Sequence, residues 1–177
     1  MKSTLVLAAG VLAISSTASA GGYLGLGLGT QPGVNDEMAM LTPPVGRSLR
    51  VLGGLRFGKI SIEGAINGFD VIASSADRTE YQLSAALKLN LPLGNNFEAF
   101  GRAGIERTWL NVEDARYNMT GDGFLAGAGV EYRLDAILAN ASLFVDYTIH
   151  HATLGDARSR KLDEISRFWA LGVTVGI

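Results

Sequence analysis

At 177 residues, with 47% hydrophobic residues, a net charge of −2 and no cysteine, the chain fits one domain. That balance excludes a nucleic-acid footprint, a disulfide framework, a thiolate metal site and a lipid-anchored N-terminal cysteine. Twenty-three glycines without a collagen period are too many for helices and suit strands that pack closely or bend.

Residues 1–20 read as a secretory signal peptide: Lys2 is the positive start, Leu5 to Ile14 the apolar run, and Ala18-Ser19-Ala20 the small-residue cleavage site. The apolar run is about ten residues, half of the ~20 a spanning helix needs, and no later stretch is a spanning helix either. The mature chain, residues 21–177, is expected to be exported to the periplasm, outer membrane or medium of a bacterium.

A first strand at 23–29 sets three leucines against glycines, and a long polar connection with Pro32, Gly33, Pro43 and Pro44 covers 30–48. The second strand, 49–57, and the third, 60–68, flank the tight turn Gly58-Lys59. A loop at 69–80 leads to the fourth strand, Tyr81 to Asn90, which Leu91 to Asn96 turn back. The fifth strand is 97–109, a polar loop covers 111–123, and the sixth strand is 124–134. Residues 135–140 turn into the seventh strand, 141–149, and a loop at 150–164 precedes the eighth. In that last strand Ile165, Trp169, Leu171, Val173, Val175 and Ile177 alternate with Ser166, Phe168, Ala170, Gly172, Thr174 and Gly176. So apolar a terminal strand needs a partner, and a closed barrel supplies one by pairing it with the first.

Eight strands with connections alternating long and short match an outer-membrane barrel with short periplasmic turns, longer outer loops and both ends inside. The fold class expected is therefore all-β, an eight-stranded antiparallel up-and-down transmembrane barrel. On the face assigned outward only Arg107 and Arg167 are charged, both near outer strand ends beside Trp109 and Trp169. Phe57, Phe97 and Tyr132 near the periplasmic ends, and Tyr81, Trp109 and Trp169 near the outer ends, form two aromatic girdles.

The inward face carries Arg50, Arg56, Lys88, Arg102 and Arg133 against Glu63, Glu98, Glu106, Glu131 and Asp146. Eight strands enclose a space just wide enough for side chains, so these charges are expected to pair as polar filling. Exchange of partners among Glu63, Lys88, Arg102 and Asp146 would instead make a gate.

The Gly-Tyr-Leu-Gly-Leu-Gly-Leu-Gly start, Ile62-Glu63-Gly64, Gly127 to Leu134 and the closing strand resemble the small outer-membrane β-barrel superfamily that includes the barrel domain of outer-membrane protein A. The resemblance covers the whole mature chain. It implies a salt-bridge plug of Glu63 with internal cations, and the chain is expected to lack the peptidoglycan-binding domain of longer relatives. Ile177 stands where the family ends in Phe or Trp, while Gly172, Val175 and Ile177 keep the spacing of an assembly-machinery signal.

His150 and His151, the two histidines, fall at the outer end of the seventh strand, followed by Thr153. Barrels resembling outer-membrane lipid A deacylase place a His and a Ser there; His151-Ala152-Thr153 is a poor substitute, so the pair reads as a surface-loop feature. Adjacent strand residues face opposite sides and make a poor metal site. No crossover helix follows any Gly-x-Gly piece, so none is a nucleotide loop. Arg158, Arg160 and Lys161, with Arg107 and Arg167 below, are placed to meet lipopolysaccharide phosphates, although Asp156, Asp163 and Glu164 offset them.

The function expected is a non-enzymatic structural or surface-interaction role through four outer loops, without cofactor, metal or nucleic acid. Its partners would be outer-membrane lipids, lipopolysaccharide, the assembly machinery during insertion and an unknown surface ligand or host receptor. A narrow channel, a lipid A-modifying hydrolase and a soluble periplasmic carrier of lipocalin type are the alternatives.

Overall fold

The computed structural model describes residues 21–36, 39, 46–69, 78–112, 117–135, 140–156 and 161–177. The candidate signal peptide at 1–20 lies outside them. The strands are β1 (Gly21–Gly29), β2 (Gly33–Val34), β3 (Ser48–Phe57), β4 (Ile60–Phe69), β5 (Arg78–Gly94), β6 (Phe97–Val112), β7 (Tyr117–Asp135), β8 (Asn140–Gly155) and β9 (Lys161–Gly176). They pair antiparallel in the order β1-β3-β4-β5-β6-β7-β8-β9, and β1 pairs back onto β9, closing a ring of eight. The two-residue β2 prolongs the β1 side of that seam, with Gly33 opposite Arg167 and Val34 opposite Ser166.

Alternation decides which side faces what. Leu26 and Leu87 are 61% and 62% exposed on the outside, with Val51 and Val173 also exposed, whereas Glu63 and Arg102 are 4% and 7% exposed within. Burial is thus inverted relative to a water-soluble domain, and only hydrocarbon makes such a surface favourable. No helix among the described residues is long and apolar enough to cross a membrane; the strands do the crossing.

Register fixes the tilt. One row of outward residues runs Asp163, Thr153, Asp122, Arg107, Leu83, Ile66, Val51 and Leu26, and returns to β9 at Val173, ten residues further along. A ten-residue stagger over eight strands tilts them by about 40°. Each row therefore climbs from β1 toward β9, and over three strands the climb equals about four residues of strand rise. Arg107 on β6 and Arg167, four residues below Asp163 on β9, consequently lie at one depth.

The periplasmic turns use residues suited to positive φ. Gly58 (φ 62°) opens the turn between β3 and β4, while Asn95 and Asn96 (φ 50° and 67°) join β5 to β6. Inward glycines make room for large lumen side chains. A Cβ on Gly54 would sit 2.6 Å from the Tyr23 ring, and one on Gly172 would overlap Phe144.

Several strands extend past their expected ends. β5 runs through Leu91–Gly94, with a register shift between Pro92 and Gly94, and starts at Arg78. Most of the loop expected at 111–123 belongs to β6 and β7, and most of 150–164 to β8 and β9. The reason is physical. From the level of Trp109 upward the outward positions on β6 and β7 are Thr120, Asn111 and Asn118, so the apolar alternation stops while the hydrogen-bonded ladder continues. The connection at 30–48 likewise contains β2, after which Asn35 bonds the β9 backbone at Ile165 and Asp163.

Candidate functional site

The lumen is filled in tiers. At the periplasmic mouth Arg56 of β3 donates two bonds of 2.8 Å to Glu98 of β6, and Arg133 of β7 adds a third at 2.6 Å. Two parallel N–H···O bonds fix both partners in plane.

The central tier draws on β1 and on β3 to β8. Asp146 accepts from Arg50 at 2.8 Å and from Arg102 at 2.7 Å, so one carboxylate lies between two guanidinium groups. Arg102 reaches on to Glu63 at 2.8 Å, and Glu63 also accepts from the Tyr23 hydroxyl at 3.0 Å. Lys88 stands 3.0 Å from Glu131 and 4.0 Å from Glu63. Thr148 and Asn67 take further guanidinium bonds from Arg102 and Arg50. Removing one member of such a buried set leaves an uncompensated charge.

Aromatic rings bind the tiers together. Lys88 Nζ lies 4.2 Å from the Phe100 centroid. Phe168 takes the Arg50 guanidinium at 5.2 Å, stacks on the His150 ring at 5.3 Å and meets the edge of Phe69 at 5.0 Å. Above this, His150 Nδ1 contacts the Glu106 carboxylate, and Gln82 bonds Glu80 and Ser166. Leu110, Ala152, Leu154 and Leu162, packed with Val34 and Met119, form an apolar cap at the outer end. The space left between the central and upper tiers is about 10 Å³, lined by Arg50, Glu63, Arg102, Thr148 and His150 among others. That volume holds one water molecule.

The ten charges expected inside are all on inward positions, but they form separate groups. Arg56, Glu98 and Arg133 stand apart from Arg50, Glu63, Lys88, Arg102, Glu131 and Asp146, and Glu106 meets His150. The two histidines are not a surface-loop pair. His150 is 2% exposed in the lumen, while His151 lies on the outer wall stacked on Phe124 at 5.0 Å, because the strand continues through both. They do not converge on Thr153, whose hydroxyl bonds Asp163 instead. Of the residues expected to meet lipopolysaccharide, Arg107, Lys161 and Arg167 are exposed on β6 and β9; Arg158 and Arg160 lie outside the described residues. Arg107 is 3.5 Å from Asp122 and 5.9 Å from the Trp109 ring.

Sequence reasoning missed His150, Glu80 and Glu164 as lumen residues, all of them buried, whereas Gln82 lies on the inward face expected of it. The signal was present as parity: Asp146 and Thr148 point inward, so His150 must too if the strand persists. Tyr23 shares the glycine parity of β1 and could have been placed by the same rule.

The family model for the outer membrane protein beta-barrel domain matches residues 3–175. The crystal structure of Neisserial surface protein A (NspA) aligns with a TM-score of 0.70 at 18% identity, over 89% of this chain and 99% of that one. A de novo designed transmembrane β-barrel aligns at 0.49 with 14% identity, covering 89% and 95%, and Ail, the attachment invasion locus protein of Yersinia pestis, at 0.48 with 12% identity, covering 89% and 99%. No curated protein matches the chain by sequence. An inverted-burial ring of eight strands and a family match spanning nearly every residue lead to one assignment: the chain belongs to the outer membrane protein beta-barrel domain family and is an integral outer-membrane barrel.

Proposed function

We propose that this barrel is a closed, non-enzymatic element of the outer membrane that works through the surface it presents outside the cell. One observation supports the reading: among the described residues buried ion pairs fill the central lumen, and the space beside Arg50, Glu63 and Arg102 is about 10 Å³, room for a single water. Purified protein in planar bilayers is expected to give no unitary currents; discrete openings by the unmodified protein would overturn the reading.

A second reading, a narrow gated channel, draws on Lys88, which at 4.0 Å from Glu63 stands ready to replace Arg102 as its partner. Under that reading Glu63→Ala or Arg102→Ala changes the currents, whereas under the closed reading wild type and both variants stay silent. A hydrolase acting on lipid A is disfavoured by the opposed directions of His150 and His151. Cells expressing the protein should keep lipid A of unchanged mass, and its shortening would reinstate the enzyme.

The partners follow from location. Arg107, Lys161 and Arg167, with Arg158 and Arg160, are proposed to meet lipopolysaccharide phosphates. The assembly machinery is proposed to read the last strand through Gly172, Val175 and Ile177, and residues 1–20 to direct export. The outer loops would hold any ligand or receptor site.

A further inference from the structure

Trp109 is the centre of a polar patch, unlike the other tryptophan. Trp169 packs against Tyr147 with ring centroids 5.0 Å apart and continues downward into Leu171 and Val173, as a girdle residue does. Around Trp109 the register gives a different grid. Tyr81 and Thr120 flank it on β5 and β7, Thr79, Asn111 and Asn118 form the row above, and Leu83, Arg107 and Asp122 the row below. All nine point outward and none is buried. Two strand spacings by four residues of rise make the grid about 10 Å by 13 Å, the footprint of a disaccharide.

Its chemistry has three parts. The Tyr81 and Trp109 rings offer flat apolar faces with polar tips, which suit the C–H face of a pyranose. Above them the amides of Asn111 and Asn118 both donate and accept, and Thr120 adds a hydroxyl, the set that hydroxyl groups require. Below them Arg107, drawn toward Trp109 and loosely held by Asp122 at 3.5 Å, offers a guanidinium fork to an anion. Height orders these parts as a glycolipid would need. The anion site lies just below the Tyr81 and Trp109 rings, Thr120 beside them and the two amides highest.

We propose that this face binds the core saccharide of an outer-leaflet glycolipid, the sugars beyond its acylated and phosphorylated disaccharide, with Tyr81 and Trp109 as the stacking platform, Asn111, Asn118 and Thr120 as hydroxyl partners and Arg107 on the phosphate below. The proposal rests on reading Arg107 as a lipopolysaccharide contact and extends it from phosphate to sugar.

The test uses the Trp169→Phe protein, in which Trp109 is the sole tryptophan, in phosphatidylcholine nanodiscs with a heat-dependent gel shift to show folding. Lipopolysaccharide bearing its core sugars, lipid A alone and free core oligosaccharide are each added, and quenching of Trp109 by iodide is measured. Core-bearing lipopolysaccharide is expected to lower the quenching constant about twofold, lipid A, which offers only the phosphate to Arg107, to lower it distinctly less, free sugar to leave it unchanged, and Asn111→Ala with Asn118→Ala to weaken the apparent affinity about tenfold. Equal protection by lipid A alone would overturn the sugar platform while leaving the phosphate reading intact. Equal protection by free oligosaccharide would overturn the membrane source. Protection by none of the three would overturn both the platform and the phosphate reading.

Discussion

Among the described residues the barrel has a low wall and a tall one. β1, β3 and β4 have 9, 10 and 10 residues, the length a tilted strand needs to cross the hydrocarbon. β5 to β9 have 16 to 19. Six or more surplus residues per strand, tilted at about 40°, raise the tall wall on the order of 15 Å above the membrane. Membrane crossing does not require that height. The low wall therefore shows what the bilayer demands, and the tall wall shows what the protein adds for contact outside.

The largest expected effect lies in the part both walls share. Arg102→Ala takes from Glu63 its 2.8 Å partner, leaving the Tyr23 hydroxyl and Lys88 at 4.0 Å, and from Asp146 one of its two guanidinium groups; it should cost about 3–5 kcal/mol, read as a lower urea midpoint for the folded, heat-modifiable form. Next comes a substitution chosen to separate membrane from water. Leu87→Arg at mid-bilayer should cost about 2–4 kcal/mol, whereas Asn118→Arg, above the girdle on the tall wall, should change stability by less than about 0.5 kcal/mol. Equal costs at the two positions would break the comparison, because both would then lie in one environment.

Leu154→Ala tests whether the tall wall has its own core. The side chain is wholly buried in the apolar cap. Its loss should cost about 2 kcal/mol or more, confined to faster amide exchange in the upper turns of β6, β8 and β9, while the membrane-embedded ladder stays protected. Smallest is Asn35→Ala. Removing the side-chain bonds at 2.9 and 3.2 Å to Asp163 and Ile165 should cost about 1 kcal/mol and speed exchange at Ile165 and in β2 without altering β1.

The two walls also differ in how legible they were. Within the hydrocarbon, the outside had to be apolar at every second residue, so Leu26, Val51 and Leu87 announced both strand and face. Above it, Asn111, Thr120 and Thr153 meet water on a sheet whose inner face is capped by Leu110 and Leu154. The alternation inverts there, and a pattern seeking grease outside reads the segment as loop. His150 was lost to that boundary. Its neighbour Thr148 falls inside on parity, but the apolar alternation stops at Ile149, so the contact with Glu106 is not legible in the sequence. The inward charges were readable individually; their grouping was not. Pairing depends on stagger between distant strands, which brings Asp146 to both Arg50 and Arg102 although no local spacing links them.

The seam between β1 and β9 joins the segments farthest apart along the chain, so its seven residue pairs carry the greatest loop-closure entropy. Its inward glycines, among them Gly25 and Gly29, let β1 close against β9 where a Cβ would stand only 2.8 Å from the Thr174 side chain and 3.1 Å from the Phe168 ring. Zipping of this junction should therefore be the slow, final event of insertion. Until it happens the chain is an open ribbon with two bare edges, the state in which it is most exposed to misassembly.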